Sequence, residues 1–131
     1  MNGPNVTADS SFPKSKRLLS RSDFQQVYES GRRQFTGNMT VFYLRRSTGA
    51  GTGPRVGFTV GRVLGGAVER NRIKRRMREA VRLSWSECEG PVDVVFNPRK
   101  SVLTLPFAQL MNEVARALRL AGQRARMADG K

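Results

Sequence analysis

The sequence predicts an α+β fold, one sheet covered by helices, and three observations carry that expectation. Residues 39–44 and 56–60 place apolar side chains with the period of two that a half-buried strand requires. "PVDVVFNP" is an apolar run of strand length bracketed by Pro91 and Pro98. Helical spacings precede, separate and follow these runs, giving the order helix, two or three strands, basic helix, strand, helix.

"LLSRSDFQQVYESGRR" opens the series as a short helix. Ser20 with Asp23, or Ser22 with Gln25, caps its start. Phe24, Val27 and Tyr28 share one face at i, i+3 and i+4, and Gly31 suits the position just past the end. In "NMTVFYLRR", Met39, Val41 and Tyr43 point to one side of a strand, and Thr40, Phe42 and Leu44 to the other. "STGAGTGP" is a loop by composition, and "RVGFTVG" is a strand on Val56, Phe58 and Val60. "RVLGGAV" fits either a short strand broken by Gly65 and Gly66 or a loop. The basic segment that follows reads as helix from about Asn71 to Ser84. The closing helix is set by Phe107, Leu110, Met111, Val114, Ala115 and Leu118, with Thr104 as cap and Pro106 in its first turn. Residues 1–15 read as a flexible leader and 122–131 as a flexible tail, flanking one domain over 16–121.

Composition narrows the function. Against 10 acidic residues stand 24 Lys and Arg, a formal charge of +14, which creates a field that recruits polyanions. Nucleic acid leads, and an anionic membrane surface is second. No apolar run reaches the ~18 residues of a spanning helix, and residues 1–15 lack the apolar segment of a secretory signal. A lone Cys88 excludes an internal disulfide and fits a reducing cytosol, so the expected location is cytoplasmic. With no histidine, the chain lacks the commonest general base, zinc ligand and partner of a nucleophile.

The densest cationic stretch is "VERNRIKRRMREAVR", Val68 to Arg82. At ~100° per residue, Ile73, Met77, Ala80 and Val81 form an apolar seam. Asn71, Lys74, Arg75, Arg78 and Arg82 occupy the opposite flank, while Arg72 and Arg76 share an adjoining side. Arg70, Arg72, Lys74 and Arg75 are expected at the amino end, where the helix dipole opposes cations and favours an arriving phosphate. A solvated helix face is the plainer alternative. Such faces interleave acids at i+4, however, and only Glu69 and Glu79 are present here.

"AVERNRIKRRMREAVR" resembles the arginine-rich signature of the protein subunit of bacterial ribonuclease P. "RLLSRSDFQQVYESGRR" resembles that family's first helix, "RVGFTV" its central strand, and "VDVVFNPRK" with the following helix its closing elements. The resemblance runs from about Phe12 to Leu120. It implies an αβββαβα fold, one mixed sheet with helices packed on it and a left-handed βαβ crossover. It also implies a small basic subunit of a ribonucleoprotein that removes 5′ leaders from precursor tRNA, with the catalytic centre and its Mg²⁺ in the large RNA and no organic cofactor.

Carried over by position, Arg70, Asn71, Arg72, Lys74, Arg75 and Arg78 match the signature and are expected to contact the catalytic RNA, with Arg82 on the same face. Phe24, Tyr28 and Phe42 match aromatics lining a cleft for the single-stranded leader, where rings stack on bases without demanding a sequence. Core packing of an amphipathic helix explains Phe24 and Tyr28 equally well. The chain departs from the family after the central strand, where Gly61 and Val63 stand in a usual Ser-Lys-Lys/Arg run. Arg45, Arg46, Arg99 and Lys100 are candidates to compensate.

Other chemistries fit poorly. The glycines of "TGAGTGP" lack the Gly-Lys-Ser/Thr ending of a phosphate loop. Asp93, Glu69, Glu79, Glu87 and Glu89 form no visible cluster for a protein-borne metal nuclease. Trp85 reads as packing at the end of the basic helix, and Cys88 as inert. DNA binding is disfavoured because no second helix stands at helix-turn-helix distance. A structural RNA-binding protein of ribosomal or assembly type remains the second reading.

Overall fold

The strand Val92–Pro98 is the axis of the molecule, paired along both of its edges. The computed structural model describes Arg17, residues 20–46 and residues 53–129, with side chains as far as Arg124. The expected leader, residues 1–15, and most of the Ser47–Pro54 loop lie outside the described residues. In chain order the elements are α1 (Arg21–Ser30), β1 (Arg32–Phe35), β2 (Met39–Arg45), β3 (Arg55–Phe58), α2 (Ala67–Leu83), β4 (Val92–Pro98) and α3 (Phe107–Asp129). Short 3-10 turns occupy Arg62–Leu64, Trp85–Glu87 and Lys100–Leu103.

The sheet order is β1-β2-β4-β3. β2 runs antiparallel to β1 and β4, with Phe42 opposite both Arg33 and Val95. β3 and β4 are parallel and are joined through α2, so the sheet is mixed. β4 is covered on both faces, which is why it reads as a continuous apolar run rather than an alternation.

Each sheet face has its own core. On one, Met39, Val41, Tyr43, Val56, Val94 and Phe96 meet Ile73, Met77, Ala80 and Val81 of α2 and Leu110, Val114 and Leu118 of α3. On the other, α1 lays Val27 against Val95, with Phe24, Tyr28, Phe42 and Leu44 around them. The two-sided reading of residues 39–44 thus places both layers correctly. Trp85 packs against the larger core, as its position at the end of α2 suggests.

Several boundaries differ from expectation, each for a local reason. β1 has no apolar alternation because it is an edge strand, and only its pairing with β2 defines it. Ser20 caps α1, its Oγ accepting from the Asp23 amide at 3.0 Å. Gly31 follows α1 in extended conformation, at φ −83°. It is needed for close approach instead: a Cβ there would sit 2.5 Å from the Val27 carbonyl oxygen and 2.6 Å from that of Tyr43. The glycine pair ends a 3-10 turn, and α2 begins at Ala67, a full turn before the expected start. Thr104 does not cap α3. It ends a 3-10 turn, its hydroxyl directed to the Ser101 carbonyl at 3.5 Å, and Pro106 stands one residue before the helix. The stretch expected as a tail from residue 122 is helical through Asp129. At its start, Ala121 and Gly122 are buried, and a Cβ on Gly122 would lie 3.2 Å from backbone atoms of Glu89.

Candidate nucleic-acid interface

α2 is fixed by its seam. Ile73, Met77, Ala80 and Val81 are fully buried, which turns the opposite flank to solvent. At its start the Gly66 amide donates to Glu69 Oε1 at 3.0 Å. Asn71, Arg72, Arg75 and Arg78 are exposed and Lys74 is half-buried. None of these five side chains makes a hydrogen bond or ion pair among the described residues. Arg70 is half-buried, its Nε donating to the Gly65 carbonyl at 3.2 Å. Arg82 forks onto Glu79, Nε to Oε1 at 3.1 Å, and that hydrogen bonding holds the Glu79 carboxyl below the usual range.

The earlier start of α2 changes the electrostatics of this face. Val68, 73% exposed, gives no apolar signal to mark the first turn. Arg72, Lys74 and Arg75 therefore lie one to two turns inside the helix, beyond the reach of its terminal amides. Only Arg70 stays near the end, where the carboxylate of Glu69 already meets the Gly66 amide. The positive charge of this face therefore comes from side chains rather than from helix N–H groups. Arg76 plays a different part. It donates to the Leu105 carbonyl and lies over the Phe107 ring at 5.8 Å, tying α2 to the start of α3.

Cations elsewhere are partly committed. Arg46 donates to Asp93 Oδ1 at 2.6 Å, both side chains being only 6% exposed. Arg55 clamps the same carboxylate through Nε at 2.9 Å and Nη2 at 2.8 Å. Arg46 is thus a buried counter-ion and does not compensate for Gly61 and Val63. Half-buried Arg45 directs Nη1 to the Arg46 carbonyl at 3.2 Å, whereas Arg99 and Lys100 are exposed. Where the family carries its basic run, this chain has a 3-10 turn with Val63 92% exposed.

The three expected aromatics do come together. Phe24 and Tyr28 reach down from α1, Phe42 rises from β2, and all three are half-buried around Val27 and Val95. The Tyr28 and Phe42 rings meet edge to face, centroids 4.8 Å apart. Sequence reasoning missed the polar end of this cluster. The Tyr28 hydroxyl donates to Asn97 Oδ1 at 3.0 Å and shares a 2.6 Å hydrogen bond with Thr59. Only Val60 and Gly61 separate Thr59 from Arg62, about 10 Å of extended chain at most, so the aromatic cluster adjoins the approach to α2 although the two lie on opposite sheet faces. Phe35 was missed as well; it is 64% exposed on β1 under the Arg33 guanidinium, 5.1 Å from the ring centroid. Four residues of an edge strand carry too little pattern to show which side chain stays in water.

The acidic side chains among the described residues are dispersed and engaged. Asp93 serves two arginines, Glu79 pairs with Arg82, Glu87 with Arg119 at 3.0 Å, and Glu113 accepts from Thr36 and from both amides of Asn38. Among the described residues no three His, Cys, Asp or Glu side chains are grouped so as to hold a metal ion. Burial, with Glu89 nearby, pushes the Cys88 thiol up to about 12, which leaves it protonated and unreactive near neutrality. Among the described residues no helix is long and apolar enough to cross a membrane.

Comparison with known proteins joins these features. The family model described as Ribonuclease P matches residues 12–122. The ribonuclease P protein component of Symbiobacterium thermophilum is 44% identical over 109 residues, 83% of this chain and 93% of that protein. That of Citrifermentans bemidjiense is 40% identical over 108 residues, 82% and 90% of the two. Among solved structures, the Staphylococcus aureus RNase P protein aligns with a TM-score of 0.70 at 27% identity, covering 82% of this chain and 96% of that one. The RNase P protein from Thermotoga maritima gives 0.70 at 25%, covering 79% and 96%. With the matched model spanning α1 to α3 and relatives at 40% identity or more over nearly their whole length, the chain belongs to the ribonuclease P protein family.

Proposed function

We propose that this chain assembles with ribonuclease P RNA through the outer face of α2 and guides the 5′ leader of precursor tRNA through the cleft between α1 and the sheet. The observation that carries this reading is that Asn71, Arg72, Lys74, Arg75 and Arg78 have no partner among the described residues, whereas buried Arg46 is neutralised by Asp93. Guanidinium and ammonium groups on one helix face, where the one acid, Glu79, is already taken by Arg82, gain most from phosphates, through charge-assisted bonds and counter-ion release. Arg70 and Arg82 keep part of their donor sets for phosphate while Gly65 and Glu79 fix their stems.

Phe24, Tyr28 and Phe42 supply stacking faces for leader bases, each stack contributing about 1–3 kcal/mol. Only a precursor carries a leader, so this energy separates precursor from mature tRNA. The catalytic centre is assigned to the partner RNA, together with the Mg²⁺ that cleavage requires; this chain contributes charge, shape and a binding cleft. The setting proposed is the cytoplasm. Family membership disfavours the ribosomal or assembly-type alternative.

The test pairs two measurements. Protein freed of RNA should not cleave precursor tRNA, whereas protein with ribonuclease P RNA should cleave it at low Mg²⁺. Phe24→Ala, shown by circular dichroism to fold, should weaken binding of leader-bearing tRNA by roughly 5- to 150-fold and leave mature tRNA unaffected. Equal losses for both substrates would reduce Phe24 to a packing residue.

A further inference from the structure

On the sheet face that bears Phe42 and Val95, the strand register aligns one residue each from β1, β2 and β4 in a row with Thr59, the residue just past β3. Thr40 lies opposite Asn97 on β4 and opposite Phe35 on β1, and the Thr59 amide donates to the Phe96 carbonyl beside Asn97. The row therefore reads Thr59, Asn97, Thr40, Phe35, and at the usual strand spacing it spans about 14 Å. The carboxyl end of α1 covers its first half, since Tyr28 bonds Thr59 and Asn97. At the other end Thr40 is half-buried and Phe35 is exposed.

Phe35 ends that row, and its environment suits a ligand better than a core. Its side chain shares a face with Arg33 and with Phe42, because Arg33 pairs with Phe42 and strand side chains two apart point the same way. Phe35 is thus a diagonal neighbour of Phe42, one strand further from α2. The ring is 64% exposed, and the Arg33 guanidinium sits over it at 5.1 Å, putting a cation beside an open aromatic face. Phe35 also stands at the edge of the sheet, beside a groove between β1 and α3 that opens on the other sheet face and is lined by Arg116 and Arg124. The acid in that groove, Glu113, is occupied by Thr36 and Asn38. Charge and shape both favour a single-stranded polyanion that arrives from the cleft.

We propose that Phe35, with Arg33, is a further stacking platform for the leader, engaging nucleotides farther from the cleavage site than those over Tyr28 and Phe42. The inference rests on the cleft assignment above. It gives the leader a direction: past Thr59 near α2, across Tyr28 and Phe42, then out over β1. Phe35 supplies a ring face to a base and Arg33 a charge to the adjoining phosphate.

The test is equilibrium binding by the assembled protein–RNA enzyme of precursor tRNAs whose leaders lengthen one nucleotide at a time. For the natural protein, affinity should rise with length and then level off. Phe35→Ala should reach its plateau one or two nucleotides sooner, binding the longest leaders about fivefold more weakly, the low end for one base stack. Short leaders and mature tRNA should bind unchanged. Phe35→Tyr should restore the full curve and Phe35→Leu should not, which separates stacking from bulk. A Phe35→Ala curve identical to the natural one, or an equal loss for mature tRNA, would overturn the proposal. If Phe24→Ala still shows its leader-specific loss in that event, the cleft assignment survives; if Phe24→Ala is also silent, the assignment itself fails.

Discussion

Asp93 shows how much one residue can settle. Its carboxylate holds Arg46, itself almost fully buried, and the partly exposed Arg55, fastening the end of β2 to β3 through β4. A buried pair contributes little beyond a well-packed apolar substitute, but breaking one costs about 3–5 kcal/mol because a charge is stranded. Asp93→Asn should therefore lower the unfolding free energy in urea by about that amount, and Arg46→Met added to it should recover a substantial part. A loss under about 1 kcal/mol would mean that Arg46 swings out to water. The sequence marks Asp93 only as a polar residue in a strand, and Arg46 as one more cation for RNA. They are separated by 47 residues, and no spacing rule links partners that far apart. The aromatic residues were more legible, because Phe24 and Tyr28 lie on one turn of a helix whose period is fixed.

Among elements, α2 was the most readable and its start the least. Its seam of Ile73, Met77, Ala80 and Val81 follows from 3.6 residues per turn, and the burial of all four confirms the face. The start was hidden because Gly66 caps without a side chain and exposed Val68 breaks the pattern. β1 was hidden for the opposite reason: its existence depends on a partner strand rather than on its own residues. The same helix separates two kinds of cation. Arg72→Ala with Arg75→Ala should leave thermal unfolding nearly unchanged, yet make the salt dependence of RNA binding shallower by about 1.5 in log–log slope. Arg76→Ala should do the reverse, losing its contacts to Leu105 and Phe107 and lowering stability while the slope holds. Titrations of labelled ribonuclease P RNA over a range of KCl, alongside melting curves, decide both. A slope unaltered by the double substitution would make the α2 face a merely solvated one.

At the scale of the molecule, sequence patterning yields the layers but not the sheet order, because β2 pairing with β4 across the whole basic helix depends on long-range packing. What patterning and composition together do convey is the charge, and the fold concentrates its consequence. Of a net +14, the seven cations and two acids of α2 supply +5, and Arg72, Lys74, Arg75 and Arg78 pair with no acid among the described residues. Mutual repulsion there opposes the compact state, and it weakens as the Debye length shrinks from about 10 Å at 0.1 M salt toward 3 Å at 1 M. The free protein should consequently gain Tm between 50 mM and 500 mM KCl, by a few degrees if about 1 kcal/mol of repulsion is relieved. Bound to ribonuclease P RNA, the sign should reverse. RNA that binds only the folded state stabilises it by about 2.7 kcal/mol at a hundredfold excess over Kd. Several phosphate contacts lose orders of magnitude in affinity over the same salt range, so that stabilisation disappears. Melting curves of free and RNA-bound protein should therefore converge from opposite directions as KCl rises. Parallel curves would show that the cations of α2 are neither repelling one another in the free chain nor neutralised in the complex.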